Sequence, residues 1–159
     1  DNKVAMTYNN KVAMTSDNKV AMTDNNEVAM TSYNEVAMTS YNKVAMTSYN
    51  KVAMTSYNEV AMTSDNEVAM TSYNKVAMTD NNVVCGLRKN IVTSEKRNMI
   101  VLGNESKVKG HIGTWFVLYE RDNEGEIINA VTTKIDGKKI KENIFYTLKN
   151  GKVVVADEE

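Results

Sequence analysis

The side chains that could perform chemistry are few. His111 is the only histidine and Cys85 is the only cysteine. A nucleophilic thiol needs a neighbouring base, and a metal-binding or catalytic histidine needs partners. No second histidine or cysteine is present to supply them. We therefore expect His111 to pack at a junction between glycines and Cys85 to be a surface thiol without a catalytic role.

Carboxylates crowd one short stretch of the chain. They are Glu120, Asp122, Glu124 and Glu126. A calcium site there is conceivable because Ca²⁺ takes oxygen ligands, but a solvated hairpin turn accounts for the same residues and is the reading we favour. Gly103, Gly110 and Gly113 lack the spacing of a phosphate-binding loop. The sequence thus predicts no catalytic residue, no cofactor and no metal, and a protein that is not an enzyme.

A tetrapeptide repeat dominates the rest of the chain. Val-Ala-Met-Thr occurs ten times between Val4 and Val76, with a constant step of eight residues. An α-helix has 3.6 residues per turn, so successive Val would drift by about 80° per octad and form no apolar stripe. The tetrapeptide is instead a short strand flanked by turn-forming Asn, Asp and Ser, and the octad predicts a repeat architecture.

Alternation along each strand predicts which side chains face inward. Lys or Glu precedes Val in every one of these octads, and ten such charges cannot all be buried. Val and Met therefore point inward, while Ala and Thr point outward. The Asn two residues before Val lies at a corner, where we expect stacked amides bonded to each other and to the backbone. The predicted ladder includes Asn34, Asn42, Asn50, Asn58, Val36, Val44, Met38 and Met46.

The charged position predicts the length of one coil. Residues there that are 16 apart are opposite in sign in seven of eight pairs, against four of nine at a separation of 8 and four of seven at 24. Stacked neighbours about 4.8 Å apart avoid like charges, so a coil has 16 residues rather than the 24 of a triangular coil. We expect Val44 to stack between Val28 and Val60 in one sheet, with Val36 and Val52 in the opposite sheet.

The step of eight continues past the last perfect octad, through Val84, Val92, Ile100 and Val108. Fourteen octads make about seven coils, or roughly 34 Å at ~4.8 Å per coil. The prediction is an all-β, two-sided parallel β-solenoid of 16-residue coils over residues 1–110. A small C-terminal antiparallel β cap follows over residues 111–159.

The cap is predicted to contain two hairpins. Residues 114–120 and 126–133 form the first, and residues 143–148 and 152–156 form the second. Its large apolar residues are Trp115, Phe116, Phe145 and Tyr146. We expect this cap to cover the backbone edge of the last coil, which would otherwise pair with another chain.

Residues 98–110, 113–121, 135–141 and 146–152 resemble the C-terminal end of octapeptide-repeat β-solenoid proteins of bacteriophages and bacteria. The repeats are also loosely similar to ice-nucleation and adhesin-head repeats. The resemblance implies a fold but no established activity. Many members carry a globular N-terminal domain, and Asp1 already lies within an octad. We therefore expect that residue 1 is not the natural start of the protein.

Composition and charge limit which partners and which cellular location we expect. The net charge of −1 gives no electrostatic reason to expect nucleic acid or a membrane surface as a partner. No apolar run reaches membrane-spanning length, and no signal peptide is recognisable. We expect a cytoplasmic protein or a component of a phage particle.

Three functions are compatible with these features. The first is a structural or interaction module, a rigid rod that presents flat faces for protein contact. The alternative is a phage-encoded inhibitor that binds a host defence protein such as a CRISPR nuclease. Ice binding ranks third, because each strand offers only one outward Thr beside a charged residue.

The N-terminal coil is the predicted self-association site. Its exposed edge would consist of Val4, Met6, Val12 and Met14. An uncapped, regular β edge tends to pair with another, and a two-fold axis would give a closed head-to-head homodimer. Lys3, Lys11 and Lys19 weigh against this pairing, because the only like-charged stretch of the charged column lies at this end.

Overall fold

The octads form strands that alternate between two sheets. The computed structural model describes residues 2–157, which contain strands and turns but no helix. Sheet A consists, in spatial order, of β1 (Asn2–Met6), β3 (Asn18–Met22), β5 (Glu35–Met38), β7 (Lys51–Met54), β9 (Glu67–Ser72), β11 (Val83–Arg88), β13 (Met99–Leu102), β15 (Trp115–Arg121) and β16 (Ile127–Lys134). Sheet B consists of β2 (Lys11–Met14), β4 (Glu27–Met30), β6 (Lys43–Met46), β8 (Glu59–Met62), β10 (Lys75–Met78), β12 (Ile91–Ser94), β14 (Lys107–Lys109), β17 (Tyr146–Lys149) and β18 (Lys152–Val155).

The predicted 16-residue coil is confirmed by the strand register. Val44 pairs with Val28 on one side and with Val60 on the other, in parallel strands of sheet B. Val36 pairs with Val52 in sheet A. The protein is therefore an all-β parallel solenoid of about seven coils, and the triangular coil is excluded.

The core lies between the two sheets and is a double row of Val and Met. Val44 and Met46 are 3% and 4% exposed, whereas the intervening Ala45 faces solvent. Towards the C-terminal end the rows change to larger groups. Ile100, Leu102 and Phe116 fill the core there, and each is fully buried.

Each corner turns at one residue with a positive φ, three positions before Val. Tyrosine occupies this position in five corners, with φ between 59° and 62°, at Tyr33, Tyr41, Tyr49, Tyr57 and Tyr73. The left-handed region is unfavourable for bulky L-residues. In these corners the tyrosine rings of successive coils stack on one another.

The parallel pairing extends beyond the boundary predicted at residue 110. β15 pairs in parallel with β13, with Met99 opposite Trp115 and Ile100 opposite Phe116. Phe116 lies eight residues after Val108 and occupies the next Val position. The first half of β15 is therefore one more rung of the solenoid, although the sequence had placed it in the cap.

Two antiparallel hairpins follow, as predicted, with small differences in their bounds. β16 pairs with β15, β17 pairs with β14, and β18 pairs with β17. β17 begins at Tyr146 rather than at residue 143, because Asn143 has a φ of 60° and donates its N–H to Gly110 O. Phe116, Phe145 and Tyr146 are buried, but Trp115 is not a cap core residue, since it occupies the outward charged position and is 47% exposed.

Candidate interaction surface

The residues considered for chemistry have structural partners. His111 Nδ1 lies 3.3 Å from Glu142 Oε2, which ties the loop before β17 to the junction after β14. Cys85 is exposed on the outer face of β11, in register with Ala69 and Val101. Within residues 2–157, no group of His, Cys, Asp and Glu side chains could hold a metal ion.

Glu120 holds the two hairpins together. Its carboxylate accepts hydrogen bonds of 2.8 Å from the N–H of Asn150, the N–H of Gly151 and Asn129 Nδ2. Burial alone would raise the pKa of Glu120, but these donors outweigh it and lower the pKa below its usual value. The carboxylate is thus engaged by three N–H donors.

Asp122 serves its own turn. Asp122 Oδ1 accepts the N–H groups of Glu124 and Glu126, both at 2.9 Å. This is the side-chain-to-backbone pattern that favours Asp in turns. The arrangement is a solvated hairpin turn, and the four carboxylates do not converge on one point.

Amide ladders run along both corners. Asn50 Nδ2 donates to Asn66 Oδ1 at 3.0 Å and to the carbonyls of Thr47 and Ser48 at 3.1 Å. Asn50 Oδ1 accepts from the backbone N–H and the side-chain amide of Asn34, at 2.9 and 3.0 Å. Each amide therefore joins three consecutive coils.

The second corner repeats this pattern. Asn42 Nδ2 donates to Asn58 Oδ1 at 3.1 Å, and Asn58 Nδ2 donates to Asn74 Oδ1 at 3.1 Å. Among the described residues, no buried side-chain nitrogen or oxygen lacks a hydrogen-bond partner. Fully satisfied buried networks rigidify a core, so the rod has little freedom to bend at its corners.

The N-terminal coil is only partly covered. Val4, Val12 and Met14 are half-buried, and Met6 is 7% exposed. Within residues 2–157, strands β1 and β2 have no neighbour on their N-terminal side. The head-to-head homodimer through these residues stays a prediction.

Hydroxyl groups also form rows next to the corners. Ser16 Oγ lies 2.8 Å from Thr31 Oγ1, Ser32 Oγ lies 2.8 Å from Thr47 Oγ1, and Ser48 Oγ makes the next such pair. These threonine hydroxyls are therefore engaged by the neighbouring coil.

Tyrosine rings stack along both edges of the solenoid. The centroids of Tyr41 and Tyr57 are 5.1 Å apart, those of Tyr57 and Tyr73 are 4.9 Å apart, and the rings are close to parallel. Lys89 Nζ lies 5.3 Å from the Tyr73 ring centroid and ends this stack. Most ring faces are covered by their neighbours, so the stacks present ring edges and hydroxyls to solvent.

The outer face of each sheet carries a column of alternating charges. Lys11 pairs with Glu27 at 3.0 Å in sheet B, and Lys19 pairs with Glu35 at 3.2 Å in sheet A. These side chains are more than half exposed, so each pair contributes at most ~1 kcal/mol. Beside the charges, the small Ala side chains leave a shallow trough along the axis of the rod.

On sheet A the charged column becomes apolar in its last three parallel strands. In register after Glu67 come Val83, Met99 and Trp115. Val83, Met99 and Trp115 are 46%, 41% and 47% exposed. We define the apolar strip as Val83, Leu87, Met99, Val101 and Trp115, of which Leu87 is 52% exposed and Val101 is half-buried.

Sheet B has no equivalent of the apolar strip among the described residues. At the matching outward positions, Ile91 and Thr93 of β12 are followed by Lys107 and Lys109 of β14. Only Ile91 is a large apolar residue there, and it is half-buried. The strip is therefore a feature of one face of the rod.

Tyr119 closes the side of the strip next to Leu87. A Cβ on Gly103 would lie 1.8 Å from Leu87 O and 2.6 Å from the Tyr119 ring, so only glycine fits beneath this ring. Tyr119 Oη donates to Gly86 O at 3.4 Å. The ring is thereby pressed flat against the sheet and leaves the strip accessible.

A group of lysines borders the other end of the strip. We define the lysine cluster as Lys134, Lys138, Lys139 and Lys141, all exposed. Lys134 pairs with Trp115 across β15 and β16, and its Nζ lies 5.8 Å from the Trp115 ring centroid. No carboxylate of residues 2–157 forms an ion pair with a member of this cluster.

The loop that carries the cluster is well fixed. Asp136 Oδ1 accepts the N–H groups of Lys138 and Ile140 at 2.8 and 3.1 Å, which lowers the pKa of its carboxyl. Ile135 donates its N–H to Thr114 O at 2.9 Å. Lys134 is therefore held beside Trp115, and Lys138 and Lys139 lie on the fixed turn that follows it in the chain. Lys141 lies further on, where its N–H donates to Tyr146 Oη.

No family model, no curated protein and no solved structure matches the chain. No helix in the described part of the chain is long and apolar enough to cross a membrane. The fold and surface define a parallel β-solenoid protein that carries an apolar strip on the outer face of sheet A.

Proposed function

We propose that this protein is a non-enzymatic interaction module, a rigid β-solenoid rod that binds another protein through the apolar strip. The single observation that carries the proposal is the exposure of Val83, Met99 and Trp115 at positions that hold Lys or Glu in every earlier coil of sheet A. Contiguous exposed apolar groups with a polar rim are typical of protein contact sites.

The composition of the strip favours a protein partner. Aromatic residues and Met are enriched at the buried centres of interfaces, where a few anchors supply most of the binding energy. Burial of apolar surface contributes about 25 cal/mol per Å². Trp115 and Met99 are the largest side chains of the strip, so they are the expected anchors.

The rod itself supplies rigidity. Its faces are continuous sheets, and its corners are fixed by the amide ladders described above. A preorganised surface loses little conformational entropy on binding. We therefore expect the partner, rather than the solenoid, to adapt its shape.

A pull-down from a bacterial host lysate tests the proposal with a matched pair of variants. Met99→Glu places a charge in the strip. Ile91→Glu makes the same kind of change at the outward charged position of sheet B. We expect a captured protein to be lost with Met99→Glu and retained with Ile91→Glu. A set of bound proteins that is the same for wild type and Met99→Glu would overturn the proposal.

The phage-inhibitor function would use the same surface. It differs in the identity of the partner, which would be a host defence protein such as a CRISPR nuclease. Mass spectrometry of the proteins that bind wild type but not Met99→Glu would separate the two functions. The gene neighbourhood would separate them as well. Tail genes favour the rod, and defence or anti-defence genes favour the inhibitor.

Ice binding has less support. The threonine hydroxyls of the outer rows are paired with serine hydroxyls of neighbouring coils, at 2.8 Å for Ser32 and Thr47. The charged columns also interrupt the regular surface that ice matching needs. Thermal hysteresis measured on the purified protein tests this function, and we expect none.

A further inference from the structure

We infer that the partner of the apolar strip is a short, acidic, amphipathic protein segment, whose apolar side chains cover the strip and whose carboxylates meet the lysine cluster. This inference rests on the proposed function and specifies the chemistry of the partner. It follows from the size of the strip and from the charges at its two ends.

The size of the strip favours a segment over a whole domain or a second copy. The five residues of the strip lie on three strands spaced at ~4.8 Å and extend over about five residue positions at ~3.3 Å, so the strip fits within roughly 15 by 16 Å. A stable interface between folded proteins buries about 800 Å² on each partner. A three-turn helix is ~16 Å long and ~10 Å wide, so it would cover the length of the strip and about two thirds of its width.

The end of the strip near Trp115 carries lysines that form no ion pair with another described residue. Lys134 stands over the Trp115 ring, and Lys138 and Lys139 follow on the loop held by Asp136. The Asp136 carboxylate is already occupied by backbone N–H groups. Carboxylates of a bound segment could therefore form the ion pairs that the described chain does not supply.

The opposite end of the strip is different. Val83 lies beside Glu67, whose carboxylate is 3.9 Å from Lys51 Nζ. That end already has balanced charge and offers no site for further carboxylates. The asymmetry predicts that the acidic residues of the segment lie at one of its ends, next to Trp115.

A selection of random peptides tests the inference without a known partner. We would display random 16-residue peptides on yeast and sort them for binding to the 159-residue protein. Clones that also bind Met99→Glu would be discarded. We expect the remaining clones to combine Leu, Ile or Phe at helical spacing with a clear excess of Asp and Glu.

The most enriched peptide would then be titrated against two charge variants. Lys138→Glu with Lys139→Glu reverses two charges of the cluster. Lys149→Glu with Lys152→Glu makes the same net change on the second hairpin. We expect the first variant to weaken binding about tenfold or more at low salt, with a smaller effect at high salt, because rim charges act over a screened range. The second variant should change binding by about twofold or less.

Each outcome is informative. Clones that depend on Met99 but are neutral or basic, or that ignore the cluster reversal, would overturn this inference and leave the proposed function intact. The absence of any Met99-dependent clone would overturn both. Sedimentation of the wild-type protein, but not of Met99→Glu, with phosphatidylserine vesicles would also overturn the inference. The acidic partner would then be a lipid surface.

Discussion

At the scale of single residues, inward and outward side chains differ in what they tolerate. Met46 is 4% exposed between the sheets, and the adjacent Ala45 faces solvent. We expect Met46→Asp to lower the free energy of unfolding by more than about 4 kcal/mol, because it buries an unpaired charge. Ala45→Asp should lower it by about 1 kcal/mol or less. Urea denaturation followed by circular dichroism measures both, and equal losses would contradict the assignment of faces.

The amide ladder predicts a cost from lost hydrogen bonds. Asn50→Ala leaves the backbone N–H of Asn34 without its acceptor and removes one of the three acceptors of the Asn34 amide. A buried unsatisfied group costs about 1–3 kcal/mol. We expect a total loss of about 2–4 kcal/mol in unfolding free energy. Ser48→Ala is the control, because its hydroxyl pair with Thr63 is exposed. A loss for Asn50→Ala no larger than that of the control would show that the ladder contributes little.

At the scale of strands, the charged column predicts an effect that depends on salt. Glu59 lies in register between Lys43 and Lys75. Glu59→Lys therefore stacks three like charges at ~4.8 Å spacing. Because these side chains are mostly exposed, we expect a loss of at most ~1 kcal/mol at low ionic strength. The loss should disappear near 1 M NaCl, where the Debye length is only about 3 Å. A loss that does not depend on salt would indicate a packing effect instead.

The close packing of Tyr119 over β13 gives a prediction for the last coil. Gly103→Ala would place a Cβ 1.8 Å from Leu87 O. We expect a loss of several kcal/mol, since backbone and ring must both move. Gly125→Ala is a useful comparison because nothing lies within 4 Å of its added Cβ, although its φ of +92° carries some strain. Thermal unfolding of both variants would show whether contact at Gly103 or general strain dominates.

The sequence predicted most of the solenoid because every coil repeats the same physical constraint. Opposite charges at a separation of 16 revealed which residues stack, and charge at ten sites identified the outward face. The strip was missed for a related reason. Val83, Met99 and Trp115 lack the charge that marks the outward position in the earlier octads, so the sequence analysis did not assign them to the outer face. Their spacing of 16 residues would have shown that they lie in the same column as Glu67.

Two further features needed the structure. A tyrosine at φ near 60° is rare, so stacked rings at the corners could not be expected from backbone preferences. The position of the lysine cluster depends on how the loop after β16 folds back against Thr114. That contact joins residues separated by a hairpin and has no repeating signal in the sequence.

At the scale of the whole molecule, self-association through Val4, Met6, Val12 and Met14 stays a prediction. We expect light scattering on the 159-residue chain to give the mass of a dimer. Met14→Lys would add charge at the half-buried edge and should shift the equilibrium towards monomer. Met99→Glu should leave the mass unchanged, which separates this edge from the apolar strip. A monomer at high micromolar concentration would contradict the prediction.

The near identity of the ten octads has a consequence for how the chain folds. Pairing one strand with a partner 16 residues too early or too late recreates almost the same Val, Met and Asn contacts. Such a slip is opposed mainly by like charges in the exposed column, at ~1 kcal/mol or less per pair. Unique fits occur only near the C-terminal end, where Tyr119 needs Gly103 and Phe116 follows Ile100. We therefore expect correct folding to start there and to advance coil by coil towards residue 2, as nearest-neighbour propagation in repeat proteins allows.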